Sequence, residues 1–547
     1  VTAPAPSRRA GLARAAFAIA GVTVAARILG FLRIVVFART VGATPLGDAY
    51  QTANTLPNIL FEIVAGGALA AVVVPVVAGA VDRGDREAAR QTAAGLLTWV
   101  AVLLAPVALL GAVLGRPLMA LLAGGTADPA LRAAKVDVGA RMLVLFMPQV
   151  VLYGLGIVAT GVLQAHRRFV APALAPLLSS VVVIGCYATY GAVAVRRGDI
   201  ASLTRGEELL LALGTTVGVL VLTLAVLLPL RSLGLSLRPT LTLPPGVGAR
   251  VRRLAASGVA AVVAQQLALA VVLRLCNVEP GAVVVHQIAF TLYLLPWAVL
   301  AVPIATSAFP ALAAAYDASD EPGYAAVAAG SLRAVLLGTI LAAALLVACA
   351  TPLATLVAGA QPSVRAAAPS AIPRAVAAFA PGLVGYGVLA LLTRALYARH
   401  RARPVAVASV AGFATAAVLA VVFVRLVSGG AFGLSSRVDR VAAIGVANSA
   451  GMAVAAVLLA AALRRTASPA AVNGALRTAL LASSAAVAAA SAGALTAHAL
   501  RTAPALLALA AASAVTIAVF AAAVARLPAA VEARNLLRAR LSRAAAS

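Results

Sequence analysis

The chain has 547 residues, of which 63% are hydrophobic and 11% charged, with a formal net charge of +27. Soluble domains are about 45–50% apolar and about 25% charged, so this composition excludes a soluble globular protein and indicates a polytopic membrane protein. The basic residues are spread over many connectors instead of massed on one segment, which argues against nucleic acid as a partner.

A helix needs about 20 mostly apolar residues to span a bilayer. Fourteen candidate spans follow one another: residues 12–41, 47–81, 88–114, 136–165, 170–195, 209–230, 251–275, 281–315, 324–348, 368–398, 404–427, 441–463, 476–500 and 505–525. They are continuous runs, where a barrel would show alternating segments of about 10 residues, so an all-α fold is expected. The apolar run that follows Arg8 and Arg9 continues past Arg27 and Arg33 to Val41, too long for the core of a signal peptide, and is expected to remain as a first helix. Arg8, Arg9, Arg83, Arg86, Arg167, Arg168, Arg399, Arg401, Arg464 and Arg465 fall at one terminus and on alternate connectors, which places both termini on the cytoplasmic side. The acidic connector at residues 316–324 is the exception, but acidic residues count little in this rule. Cys186, Cys276 and Cys349 stand singly in or beside apolar runs with no metal-ligand spacing, so neither a metal centre nor a disulfide framework is expected.

Polar residues inside the first two spans carry the chemistry. Arg27 and Arg33 lie six residues apart, about 9 Å along a helix axis. An arginine at the bilayer centre costs at least about 2.5–3.5 kcal/mol, so it is expected to face an aqueous cavity or to snorkel to an interface. Asp48 opens the second span and suits either a helix N-cap or an ion-pair partner for an arginine. Asn54, Asn58 and Glu62 recur every four residues and share one helical face, with Pro57 among them removing a backbone donor. That face lines either a wet passage or an interhelical hydrogen-bond seam. His286, near a helix start, reads as a packed histidine before a proton relay.

A weak internal repeat relates "TGVLQAHRRFVAPALAP" at Thr160 to "LLTRALYARHRARPVAVAS" at Leu391, as in transporters built from two halves. There is no G-x-x-x-x-G-K-[ST] for nucleotide hydrolysis and no H-E-x-x-H. Connectors are short and poor in aromatics, so no catalytic residues are assigned and an enzyme such as a membrane glycosyltransferase is the weaker reading.

The stretches "ARILGFLRIVVFARTVGATPLGDAY", "ANTLPNILFEIVAGGALAAVVVPV", "GVLQAHRRFVAPALAPLLSSVVVIG", "LYLLPWAVLAVPIATSAFPALAAAY" and "RALYARHRARPVAV" together resemble the MurJ (MviN) family of lipid II flippases, its actinobacterial members above all. The resemblance implies a fold of about fourteen transmembrane helices of the MOP exporter superfamily: two six-helix lobes at residues 1–230 and 231–465, then residues 466–547 with two further helices and a basic cytoplasmic tail. It also implies that undecaprenyl-pyrophosphate-linked peptidoglycan precursor crosses the cytoplasmic membrane by alternating access. No cofactor is implied, only a coupling ion or the membrane potential, and the implied partners are lipid II, membrane lipids and cell-wall synthesis proteins. Arg27 and Arg33 match the family's first-helix arginines and Asp48 its acidic residue at the second helix, so these three, with Asn54, Asn58 and Glu62, are the expected substrate-binding set. Phe61 and Thr291 stand where members often carry arginine, and Arg274 and Gln287 are the expected additional cavity residues. A flippase for another polyprenyl-linked glycan, an antiporter of the same superfamily and a non-transporting cell-wall scaffold stay open as alternatives.

Overall fold

Long apolar runs cannot leave backbone amides unpaired in lipid, and intrahelical bonding answers that constraint within a single segment. In the computed structural model, which describes residues 6–194, 196, 198–233, 238–243, 259–359, 362–367, 370–429 and 437–525, every long regular element is a helix. Twelve helices among the described residues are long and apolar enough to cross a membrane. The first two expected spans are helical as well. One is α1 (Pro6–Thr40); the other is α2 (Pro45–Phe61), which continues through a π-helical turn at Glu62–Gly66 into α3 (Gly67–Asp82). The basic residues Arg250, Arg252 and Arg253, the start of the seventh expected span and residues 526–547 lie outside the described residues.

The described residues fall into two compact units, one drawn from Val1–Gln266 and Asn277–Val284, the other from Leu267–Cys276 and Val285–Ser547. The first unit continues from α3 through α4 (Arg86–Val113), the short α5 (Gly115–Ala123), α6 (Pro129–Phe146), α7 (Pro148–Ala165), α8 (Val170–Val193) and α9 (Arg205–Leu227). Hydropathy treats α5 as a connector and begins the fourth span at residue 136. The structure starts that helix at Pro129, where Asp128 caps Ala130 N–H at 2.9 Å and proline at the first turn has no donor to lose. Within this unit α1 packs on α8, α2 on α6, and α7 on α3, α4 and α9.

The helix α10 (Val259–Cys276) begins in the first unit and ends in the second, and the first turn of α11 (Ala282–Pro296) belongs to the first. The second unit then holds the rest of α11, a second π-helical turn at Trp297–Ala301, α12 (Val302–Asp317), α13 (Glu321–Ala348), the short α14 (Ala350–Ala358) and α15 (Pro362–Ala367), and α16 (Ala371–Phe379). It closes with α17 (Gly382–Ala398), α18 (Ala402–Ser428), α19 (Arg437–Thr466), α20 (Ala475–Ala499) and α21 (Ala505–Val524). Its helices meet through small residues, as lipid-embedded packing favours. A Cβ at Gly451 would stand 2.4 Å from the Gly412 carbonyl oxygen, so α18 and α19 approach backbone to backbone there.

Candidate functional site

The polar residues of the first unit gather around α2. The helix starts at Thr44, whose hydroxyl accepts from Gly47 N–H at 3.1 Å while Pro45 occupies the first helical position. Thr44, not Asp48, is therefore the N-cap. One turn on, Asp48 is fully buried and its carboxylate serves a different helix. Oδ2 accepts from Gly281 N–H at 2.6 Å, and Oδ1 accepts from Val283 and Val284 N–H at 3.1 and 3.4 Å. These are orphan donors at the N-terminus of α11, where the positive end of a helix dipole favours a carboxylate. Gly281 makes the approach possible: its φ is +83°, and a Cβ there would sit 2.3 Å from the Ala43 carbonyl oxygen.

The expected pairing of Asp48 with Arg27 or Arg33 is corrected by this geometry. Its cationic partner is Lys135 of α6, with Nζ 3.5 Å from Oδ2 and both side chains fully buried. Lys135 also donates to the Asn277 carbonyl at 3.3 Å, which accepts a second bond from the Thr126 hydroxyl at 2.9 Å. The Asn277 amide donates to the Thr52 hydroxyl at 2.9 Å, one turn along α2 from Asp48. A buried charge persists only when paired and hydrogen-bonded, and this network meets both conditions. It fastens residues 277–284 to α2 and α6. Sequence reasoning passed over Lys135, yet a signal was available: it is the only lysine in the chain, every other strong base being arginine. A compact ammonium makes several bonds within a tight pocket where a guanidinium fork needs more room.

Next along α2, Tyr50 stands among hydroxyls. Its OH bonds that of Tyr187 on α8 at 2.7 Å and also meets the Thr215 hydroxyl on α9, and its ring lies 5.2 Å from that of Phe37 on α1. Half-buried Arg33 is within electrostatic reach of Tyr50, Tyr153 and Tyr187, whereas Arg27 is exposed. The stripe Asn54, Asn58, Glu62 divides. Asn54 is half-buried, with its amide oxygen enclosed and without a hydrogen bond, while Asn58 and Glu62 line a cavity of about 420 Å³. Tyr153, Thr160 and Gln164 of α7 add polar lining, and Val74, Pro176 and Leu222 are among its apolar walls. Phe61 is buried against the Tyr153 ring at 5.8 Å and forms a wall of this cavity. In the second unit Arg274 is exposed on α10, and Gln287 is half-buried on α11, its carbonyl accepting from the Thr291 hydroxyl at 2.8 Å. His286 is buried and stacked on Phe290 at 5.6 Å, a packed ring in apolar surroundings.

Comparison with known proteins gives a consistent result. The family described as lipid II flippase MurJ matches residues 37–509. A lipid II flippase MurJ of Burkholderia cenocepacia is 28% identical over 399 residues, 71% of this chain and 74% of that one. A probable lipid II flippase MurJ of Rhizobium meliloti is 27% identical over 354 residues, 62% of each chain. Among solved structures, a lipid II flippase MurJ in an inward closed conformation superposes with a TM-score of 0.71 at 16% identity, covering 93% of this chain and 99% of that one. An inward-facing multidrug resistance MATE family transporter of the MOP superfamily follows at 0.65 and 14% identity, over 81% and 95% of the two chains. At these identities the structural matches establish a common fold.

Proposed function

The chain belongs to the lipid II flippase MurJ family, and from that premise we propose that it carries lipid II, the undecaprenyl-pyrophosphate-linked peptidoglycan precursor, from the inner to the outer leaflet of the cytoplasmic membrane by alternating access. The family match over residues 37–509 is the observation that carries this reading. The protein then acts as a transporter and makes or breaks no covalent bond in its lipid. Both termini face the cytoplasm, and its partners are lipid II, the surrounding lipids and the cell-wall enzymes that supply and consume the precursor.

The roles of the residues follow from the cargo's chemistry. A pyrophosphate diester is a concentrated anion whose tetrahedral phosphates each present a pair of non-bridging acceptor oxygens, which a guanidinium fork binds at two points. Arg27 and Arg33 are the groups we assign to it, Arg27 because it is exposed and Arg33 because it is half-buried within electrostatic reach of tyrosine hydroxyls. Asn54 and Asn58 offer neutral hydrogen bonds along the same route. Asp48 is a latch, holding residues 277–284 through Lys135 and three backbone amides. An inside-negative potential favours outward movement of an anion by ~2.3 kcal/mol per charge for each 100 mV, so the potential, alone or with a coupling ion, supplies a driving force.

The test is depletion of the protein in its native host, followed by re-expression of wild type or Arg27→Ala at matched membrane levels. The measurement is lipid II accessible on the outer leaflet. Wild type restores accessibility and Arg27→Ala does not. Unchanged outer-leaflet lipid II on depletion would overturn the assignment.

A further inference from the structure

Half-buried Glu62 stands apart from the buried carboxylates of its unit. Asp48 is paired with Lys135, and Glu208 is held by Arg141 and Arg205. Among the described residues, no ion pair or side-chain hydrogen bond engages Glu62. It lines the cavity of about 420 Å³, whose walls come from α2, α3, α7, α8 and α9. From α3 the lining is Val73 and Val74, from α8 Pro172, Ala175 and Pro176, and from α9 Leu222 and Val226, none of them ionisable. Among the described residues, the only other titratable lining group is the Tyr153 phenol of α7. Arg33 of α1 lies within electrostatic reach of that phenol.

An ionised carboxylate in a largely apolar cavity is costly unless a cation accompanies it. The described walls supply no such cation but do supply neutral oxygen-bearing side chains: Asn58, Thr160 and Gln164, together with Tyr153. The backbone contributes as well. Glu62 is the first residue of the π-helical turn Glu62–Gly66, so the helix widens just beyond the carboxylate. Such widened turns concentrate at functional sites, and oxygens at interrupted membrane helices are the usual ligands of small coupling cations. The cavity is large enough to admit water beside the ion, each water taking about 30 Å³ of liquid.

We propose that this cavity is a binding site for one monovalent cation, a proton or Na⁺, held at the Glu62 carboxylate and surrounded by Asn58, Thr160 and Gln164. Its role as the coupling ion rests on the transport reading above, whereas the site itself does not. A single carboxylate among neutral oxygens balances one positive charge. A divalent ion in the same place would leave a net charge in apolar surroundings.

Dicyclohexylcarbodiimide, which adds to protonated carboxyl groups in apolar surroundings, tests the site without any transport assay. The full chain in lipid nanodiscs is treated across a pH series in sodium chloride or choline chloride, and the adduct on the Glu62 peptide is quantified by mass spectrometry against that on Glu87, an exposed carboxylate with 62% of its side chain accessible. Glu62 is labelled strongly at acid pH, with labelling falling about tenfold per pH unit once the carboxyl ionises. Equal labelling in the two salts identifies the proton as the ligand; suppression by sodium but not choline identifies Na⁺. Glu62→Gln, which keeps shape and hydrogen bonding, removes the adduct and leaves Glu87 labelling unchanged. Absence of an adduct at acid pH, or labelling of Glu62 that follows Glu87 in every condition, would overturn the proposal. A negative result here leaves lipid II accessibility after depletion untouched, so the two readings fail separately.

Discussion

The two π-helical turns make the most instructive contrast in the molecule. In the first unit a helix of 17 residues passes through Glu62–Gly66 into one of 16; in the second a helix of 15 passes through Trp297–Ala301 into one of 16. The backbone device is the same and the contents differ. At the first turn the leading residue is a carboxylate beside an open cavity. At the second it is Trp297, 5.0 Å from Tyr386, within a run of rings that includes Tyr293, Phe290, Phe379 and His286. A widened turn in a membrane helix thus makes room, and the neighbouring side chains decide whether that room holds polar groups or is packed shut.

The first unit depends on buried polar bonds at the start of the helix that leads to its turn and the second on ring packing at the turn itself, and substitutions can separate the two. The largest effect is expected at the Asp48–Lys135 pair. Either Asp48→Ala or Lys135→Met leaves an unpaired buried charge and should cost ~3–5 kcal/mol, read as a fall in thermal stability of the purified protein, with the double substitution recovering part of the loss. A double variant as unstable as the sum of the singles would show that the two groups act independently. Phe379→Ala, which empties the ring cluster of the second unit, should cost ~3 kcal/mol in the same assay and leave Glu62 labelling by carbodiimide as in wild type. Glu62→Trp copies the second turn into the first. It should be tolerated in stability but lower lipid II accessibility by roughly tenfold, equivalent to ~1.4 kcal/mol. Unimpaired accessibility would mean that the cavity has no part in transport. The smallest change is Thr52→Val, which removes the acceptor of the Asn277 amide and should cost about 1 kcal/mol without altering Arg27-dependent function.

The sequence reading and the structure agree where a constraint acts along the chain. Lipid penalises every unpaired amide and every charge, so span positions, the helical class and the unusual polarity of α2 are visible in one dimension. The four-residue spacing of Asn58 and Glu62 put them on one face, and they do line one cavity. Asn54, one step earlier in the same spacing, instead has its amide oxygen enclosed, because how far a face is covered depends on the helices that pack on it. Hydropathy leaves short helices such as α5 and α14 among the connectors, because nine residues are too few to span.

By itself, then, the amino-acid order determined that this protein lives in a bilayer as a series of helices, which segments span, and that α2 carries groups lipid would reject, since each of these follows from the cost of exposing a residue to hydrocarbon. Only the tertiary structure decided who partners whom. Asp48 meets Lys135 and the amides of Gly281, Val283 and Val284, more than two hundred positions apart for the latter, and not the arginines nearer in the chain. Glu62 is left without a described counter-charge for the same reason: pairing is set by distance in space, and the helices that could have brought an arginine to it bring Val, Pro and Leu instead.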